Sequence, residues 1–187
     1  ALKAWIASAM DQGTVAVDTE TNSLDSLNAE LVGVSLSMAK PVDGARACYI
    51  PLGHVAPKSQ GSFDLGGGGE AEDPGTDGAP KQIAFDKAIK MLKPMLEDRG
   101  TLKVAHNAKY DSEVFARYGI DLAPVDDTML LSYVLDGGSH GHGLDDLTQL
   151  HLGRTNIKYS AVAGSGKKQI SFAEVELEAA LDYAAED

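Results

Sequence analysis

Three short runs of β-branched and apolar residues within the first fifty positions constrain the fold of this chain most. Thr14-Val15-Ala16-Val17, the stretch 31–38 and Ala47-Cys48-Tyr49-Ile50 all have strand character. The second alternates apolar with small polar residues, and Pro51 ends the third. Three strands in succession predict an antiparallel meander. A helix precedes them over 2–12, with Leu2, Trp5, Ile6 and Ala9 at helical spacing and Gly13 as its stop. After them the pattern changes. A helix is expected over 83–96, with Pro94 distorting its last turn. Lys103-Val104-Ala105 follows as a buried strand, and Asn107 is the expected N-cap of a helix running to Tyr118 and closed by Gly119. Further helices are expected over 128–135, 144–152 and 172–187, the last carrying Val175, Leu177, Ala180, Leu181 and Ala184. Strands first, then helices alternating with further strands, predict an α/β domain with a mixed sheet flanked by helices. No internal repeat is apparent.

One stretch falls outside this pattern. From about 56 to 80, Gly66-Gly67-Gly68-Gly69 sits among Ser, Asp, Glu and Pro with almost no large apolar side chain. Such a segment buries too little surface to offset its ordering entropy, so it is expected to be a flexible surface insertion. A phosphate-cradling role lacks the required strand-to-helix context and the following Lys-Ser/Thr.

Composition narrows the function. At 187 residues and 43% hydrophobic content the chain suits one domain, 1–187, with a sizeable core. No apolar run approaches the ~18 residues of a membrane span, so no membrane partner is expected. Ala1-Leu2-Lys3-Ala4-Trp5-Ile6 does not read as a signal peptide. The single cysteine, Cys48, excludes an internal disulfide and fits a reducing, cytoplasmic compartment. The net charge of −12 argues against an ordinary basic DNA-binding module. Two readings remain: an acidic protein with no nucleic-acid role, or clustered carboxylates holding divalent cations that meet phosphates.

Carboxylates recur in three places. Asp18-Thr19-Glu20 stands where the first strand is expected to end, and residues two apart in a strand project to one face. Side by side they repel, which a cation would relieve; alone, the pair also suits a solvated turn. His106-Asn107-Ala108-Lys109-Tyr110-Asp111 delivers Asp111 into the first turn of a helix, where an acidic residue also simply suits the helix dipole. In Tyr183-Ala184-Ala185-Glu186-Asp187, Tyr183 and Asp187 are four apart and share a helix face, whereas Glu186 is expected to face solvent. Tyr183 alone suits a half-buried aromatic, and Asp187 a frayed end. Together the three segments supply four carboxylates and a tyrosine, the set required for two-metal phosphodiester hydrolysis. Two cations about 3.5–4 Å apart neutralise the attacking and leaving oxygens. Hard Mg²⁺ prefers carboxylate oxygen, and a neutral phenol can orient the attacking water.

The ordered motifs resemble the 3′→5′ exonuclease domain of family A DNA polymerases, in the tyrosine-containing branch of the Asp-Glu-Asp-Asp exonucleases. The resemblance rests on Val17-Asp18-Thr19-Glu20-Thr21-Asn22-Ser23-Leu24-Asp25, Asn107-Ala108-Lys109-Tyr110-Asp111 and Tyr183–Asp187. It extends through Asp127-Thr128-Met129-Leu130-Leu131-Ser132-Tyr133 and Ala163-Gly164-Ser165-Gly166-Lys167-Lys168-Gln169. It implies a ribonuclease H-like fold and a catalytic set of Asp18, Glu20, Asp111, Tyr183 and Asp187. Asp18 would bridge two metals, Glu20 and Asp187 would complete the site of the nucleophile-generating metal, and Asp111 would hold the second through water. Tyr183 would position the attacking water, helped by Glu20. The implied cofactor is a pair of divalent cations, Mg²⁺ first, with Mn²⁺ or Zn²⁺ as alternatives. Leu24, Asn107, Tyr110 and Tyr159 would contact the substrate: Leu24 against the terminal bases, Asn107 on the sugar-phosphate, and Tyr159 stacked near the last nucleotide.

The implied activity is removal of mononucleotides from a single-stranded DNA 3′ end, as the proofreading module beside a polymerase domain of the same polypeptide. The setting would be the bacterial cytoplasm, associated with the nucleoid, and the isolated domain is expected to be a monomer. The family's last helix continues into that polymerase domain, so a chain ending at Asp187 is expected to be an excised fragment. Two other readings keep the fold: a non-catalytic platform, against which all four carboxylates stand, and an RNA-trimming or helicase-linked exonuclease.

Overall fold

The computed structural model describes residues 1–56 and 80–186. Asp187 and all but the two end residues of the expected insertion at 56–80 lie outside them. The described residues form one five-stranded sheet of order β3-β2-β1-β4-β5. The meander comes first: β1 (Thr14–Thr21), β2 (Leu31–Val42) and β3 (Ala45–Pro51) pair antiparallel in sequence. Then β4 (Leu102–Ala105) and β5 (Val125–Asp127) join parallel on the other side of β1. Helix α1 (Leu2–Gln12) ends at Gly13, whose left-handed φ of 71° and N–H bond to the Ala9 carbonyl close it as the sequence predicts. The remaining helices are α2 (Phe85–Leu96), α3 (Ala108–Ala116), α4 (Thr128–Asp136), α5 (Leu144–Leu152), α6 (Tyr159–Ala163) and α7 (Leu177–Glu186).

Alternation along β1 sorts the two faces of the sheet. Val15 and Val17 enter the larger core with Val34, Leu36, Leu92, Val114 and Phe115, on the side of α1, α2 and α3. The other face carries a smaller cluster of Val32, Ala163, Phe172, Val175 and Ala180 beneath α7. Phe172 is fully buried, and its ring meets those of Tyr49, His54, Tyr159 and Tyr183 at centroid distances of 6.5, 6.0, 6.2 and 5.7 Å. This aromatic cluster fixes two tyrosines of the candidate site.

Several local expectations are corrected. The first strand runs on to Thr21, so Asp18-Thr19-Glu20 lies inside it rather than at its end. Helix α2 starts at Phe85 rather than at 83, and runs through Pro94 to Leu96 as expected. Asn107 makes no side-chain cap and stands in the left-handed region at φ 62°. The cap comes from Asp127, whose carboxylate accepts from the N–H groups of Asn107 (3.0 Å) and Ala108 (2.9 Å). The same carboxylate caps α4 through Met129 (2.9 Å) and Leu130 (3.4 Å). The expected helix over 172–187 is divided. A 3₁₀ turn at Phe172–Glu174, closed by a Ser171/Glu174 capping box, ends at an extended Val175 before α7 begins. Buried Lys103 gives its ammonium to the carbonyls of Thr101 (2.6 Å), Ala123 (2.7 Å) and Asp98 (2.8 Å), tying the turn before β4 to the segment that leads into β5. Burial lowers its pKa, partly opposed by Asp98.

Gly33 sits opposite Glu20 in the register of β1 and β2. A Cβ there would stand 2.0 Å from the hydroxyl of Tyr49, whose ring crosses β2 in the space the glycine leaves. Gly33→Ala should therefore cost about 1–3 kcal/mol of stability by overpacking. Measured by chemical denaturation, that loss should shrink in a Tyr49→Ala background; an equal loss in both backgrounds would contradict the close approach.

Candidate active site

β1 carries the first two candidate carboxylates on the face toward α7, and Thr19 between them turns to the opposite face. There the Thr19 hydroxyl donates to Asp111 Oδ1 at 2.6 Å, across 92 positions of sequence. Asp111 lies in the first turn of α3, held there by the Asp127 cap, and is 2% exposed. Burial pushes its carboxyl up to about 6, opposed by the Thr19 hydroxyl and by backbone N–H donors. The first and second carboxylate motifs thus meet across the strand.

Glu20, Leu24, Tyr110, Tyr159 and Tyr183 line one cavity of about 430 Å³, together with Gln169. Tyr110 reaches it from α3, with its hydroxyl 2.5 Å from Thr21 Oγ1 and donating to the Ser23 carbonyl. Tyr159 comes from α6 and Tyr183 from α7, their rings edge to face at 6.1 Å. Leu24 is 99% exposed at the rim. Asp18 lines a smaller adjoining hollow with His106, Thr128, Ala184 and Ala185. The structure does not bring Asn107 into the wall of either; its backbone N–H goes to Asp127.

The electrostatics match this convergence. Burial raises the Tyr110 hydroxyl, opposed by its bond to Thr21, and the charges of Asp111, Asp18 and Glu20 raise it further. Burial, then the Glu20 charge, raises Tyr49 and Tyr159 as well. Glu20 is ringed by phenols that stay neutral at physiological pH, which suits hydrogen-bond donation rather than base chemistry. Among the described residues no three Asp, Glu, His or Cys side chains converge closely enough to hold a metal ion by themselves. The donor set nonetheless fits a hard cation: Asp18, Glu20 and Asp111 are all carboxylates on or against the last residues of β1.

The structure adds residues that motif reading passed over. Thr19 anchors Asp111, Thr21 anchors Tyr110, Asp127 caps the helix that carries both, and Phe172 backs the two tyrosines. The Ser171-x-x-Glu174 pattern and the hydroxyls flanking Glu20 were the available signals. Glu186 is not solvent-facing as expected; its carboxylate accepts from Arg154 (3.0 Å) and from the Ile157 N–H (2.6 Å). It fastens α7 to the chain before α6.

A mixed sheet with a leading antiparallel meander, two parallel strands beyond β1 and a pair of carboxylates within β1 defines the class, a ribonuclease H-like nuclease fold. The chain belongs to the 3′–5′ exonuclease family, whose model matches residues 1–187. It is 47% identical to DNA polymerase I of Rhizobium leguminosarum over 100% of its own length, and 36% identical to that of Pseudomonas aeruginosa over 98%. In each case it spans 18% of the relative, so it corresponds to about a fifth of those polypeptides. Among solved structures, Brucella melitensis NrnC with bound Mg²⁺ superposes with a TM-score of 0.59 at 25% identity, covering 96% of this chain and 68% of that one. The same protein bound to pGG gives 0.60 with the same identity and coverage.

The pKa of Asp111 carries a test. In the unfolded chain this carboxyl titrates near 3.8 and in the folded domain near 6. The folded state therefore holds its proton more tightly, and that contribution to stability is present at low pH and lost as pH rises from 3.8 through 6. In chelator at pH 8, Asp111→Asn should be more stable than the parent by up to about 3 kcal/mol, with the gap closing toward pH 4. Thermal melts across that range check it, and an Asn variant no more stable at pH 8 would contradict the buried charge.

Proposed function

We propose that the domain hydrolyses the terminal phosphodiester of single-stranded DNA 3′ ends with two divalent cations, releasing mononucleotides. We place it as the proofreading module of a family A DNA polymerase whose polymerase domain lies on the same polypeptide. One observation carries the reading: in a chain of the 3′–5′ exonuclease family, Glu20, Leu24, Tyr110, Tyr159 and Tyr183 line a single cavity at the strand end that bears Asp18. Its volume of about 430 Å³ suits one nucleotide rather than a duplex. The relatives are DNA polymerases, which favours DNA over RNA.

Asp18, Glu20 and Asp111, with Asp187 beyond the described residues, would hold the cations. Bound there, divalent cations neutralise the phosphate and lower the pKa of a coordinated water. The chain's own groups do the positioning. Tyr183, braced edge to face on Tyr159 and tilted on Phe172, offers a phenol to the attacking water beside Glu20. Tyr159 presents a ring on which a terminal base stacks, and exposed Leu24 wedges against the base before it. Stacking on rings and an aliphatic side chain tolerates any base, as proofreading requires. Mg²⁺ seen in NrnC supports the cation class for this site.

Incubation with a 3′-frayed oligonucleotide should give a ladder of single-nucleotide losses that needs Mg²⁺ or Mn²⁺. Asp18→Ala and Glu20→Ala should each abolish it while leaving the circular dichroism spectrum unchanged. Tyr183→Phe should slow turnover far more than it weakens cation binding. Undiminished cleavage by the Asp18 or Glu20 variants would overturn the assignment.

A further inference from the structure

The walls of the nucleotide cavity hold more polar groups than the proposed hydrolysis uses, and most are committed to the protein itself. Thr19 donates to Asp111, and Thr21 to the Ser23 carbonyl at 2.9 Å. Asn22 gives its amide nitrogen to Glu30 at 2.9 Å, and its amide oxygen accepts from the Glu30 N–H at 2.8 Å. The Ser23 hydroxyl accepts from the Asp25 N–H at 3.1 Å, and Tyr110 is bound to Thr21 and Ser23. Glu20 and Tyr183 belong to the proposed chemistry. Among the described residues, that leaves two wall side chains whose polar atoms bond to no protein group: the hydroxyl of Tyr159 and the amide of Gln169.

Gln169 is not loosely placed. It closes a tight turn in which Ile170 N–H bonds to the Ala163 carbonyl at 2.8 Å and Gln169 N–H bonds to the Gly166 carbonyl at 3.2 Å. Gly164 makes the turn at φ 73°, where a Cβ would also come within 3.1 Å of the Lys168 carbonyl, so the backbone delivering Gln169 is tightly constrained. The turn follows α6 directly, and α6 carries the Tyr159 ring that stacks on Phe172; Gln169 and Tyr159 thus line the same cavity, with Gln169 on its solvent-exposed side.

We propose that Gln169 positions the 3′-terminal nucleotide by hydrogen bonds from its side-chain amide to the edge of the base that stacks on Tyr159. The assignment rests on the exonuclease reading and adds a residue to it. A primary amide carries donors on one side and an acceptor on the other, and rotation about its last torsion exchanges them. It can meet the edge of any of the four bases, so it adds hold without adding sequence preference. A carboxylate at this position would meet only donors, and an ammonium only acceptors. Gln169 makes no part of the attack, so its contribution is to ground-state binding and is carried unchanged into the transition state.

The test uses first-nucleotide release from two oligonucleotides of one sequence. One ends in thymidine, the other in an apolar thymidine isostere whose base has no hydrogen-bonding groups. With Gln169→Met, which keeps the length of the side chain but carries no amide, KM for the natural end should rise about fivefold, the worth of one net hydrogen bond, with kcat unchanged. On the isostere the parent and variant should have equal KM. An unchanged KM on the natural end, a loss in kcat, or an equal rise on both ends would overturn the assignment; the last would mark a packing role. If the unaltered protein releases no nucleotide from either end, the exonuclease reading itself fails and this inference with it. Release without any effect of the substitution sinks this inference alone.

Discussion

The alternation of side chains along β1 is the constraint on which the site depends. Because successive residues of a strand point to opposite faces, Asp18 and Glu20 are presented together while Thr19 turns to the other side. That turn allows the Thr19–Asp111 hydrogen bond of 2.6 Å, which joins the first motif to the second. A slip of one residue in the pairing of β1 with β2 would send Thr19 toward α7, put both carboxylates into the apolar core, and move Gly33 away from Glu20. The register is defended by Val15 and Val17 in the larger core and by the passage of Tyr49 over Gly33.

Gathering acids costs energy, and the structure shows where that cost is concentrated. Asp111 is shielded from water and holds a proton up to about pH 6, with two helices pinned by the Asp127 carboxylate close by. The rest of the cavity answers the acids with neutral phenols rather than with Lys or Arg. In a chain of net charge −12 this arrangement repels a phosphate backbone unless cations intervene. Under the proposed function, association with nucleic acid would therefore be conditional on divalent ions, with the aromatic walls supplying the contact that charge does not.

Much of this was legible in the sequence, for reasons that can be named. Thr14–Val17, 31–38 and 47–50 are β-branched or alternating runs, and these describe β1, β2 and β3 apart from their ends. The Asp-x-Glu pair was legible because strand geometry alone places both carboxylates on one face. What escaped depended on contacts between distant segments. Asn107 is a residue type favoured at N-caps, yet Asp127, 20 positions on, supplies the cap because β5 runs beside β4 and brings its carboxylate to the helix end. Glu186 looked solvent-facing because helical angle says nothing of Arg154, 32 positions earlier. The division of the last helix at Val175 was readable in principle, since Ser171 and Glu174 spell a capping box inside the apolar periodicity. The role of Phe172 was not, because an apolar residue in a 3₁₀ turn carries no mark of the four rings it will meet.

Whether the carboxylates of β1 and α3 form one cation site is tested most directly by a crystal structure of the domain soaked in Mn²⁺, with the ions located by their anomalous scattering. The expected result is Mn²⁺ seated against Asp18 and Glu20, with Asp111 turned toward the same ions. Saturating Mn²⁺ that leaves this strand end empty, or ions held by other side chains while Asp111 stays bonded to Thr19, would contradict it.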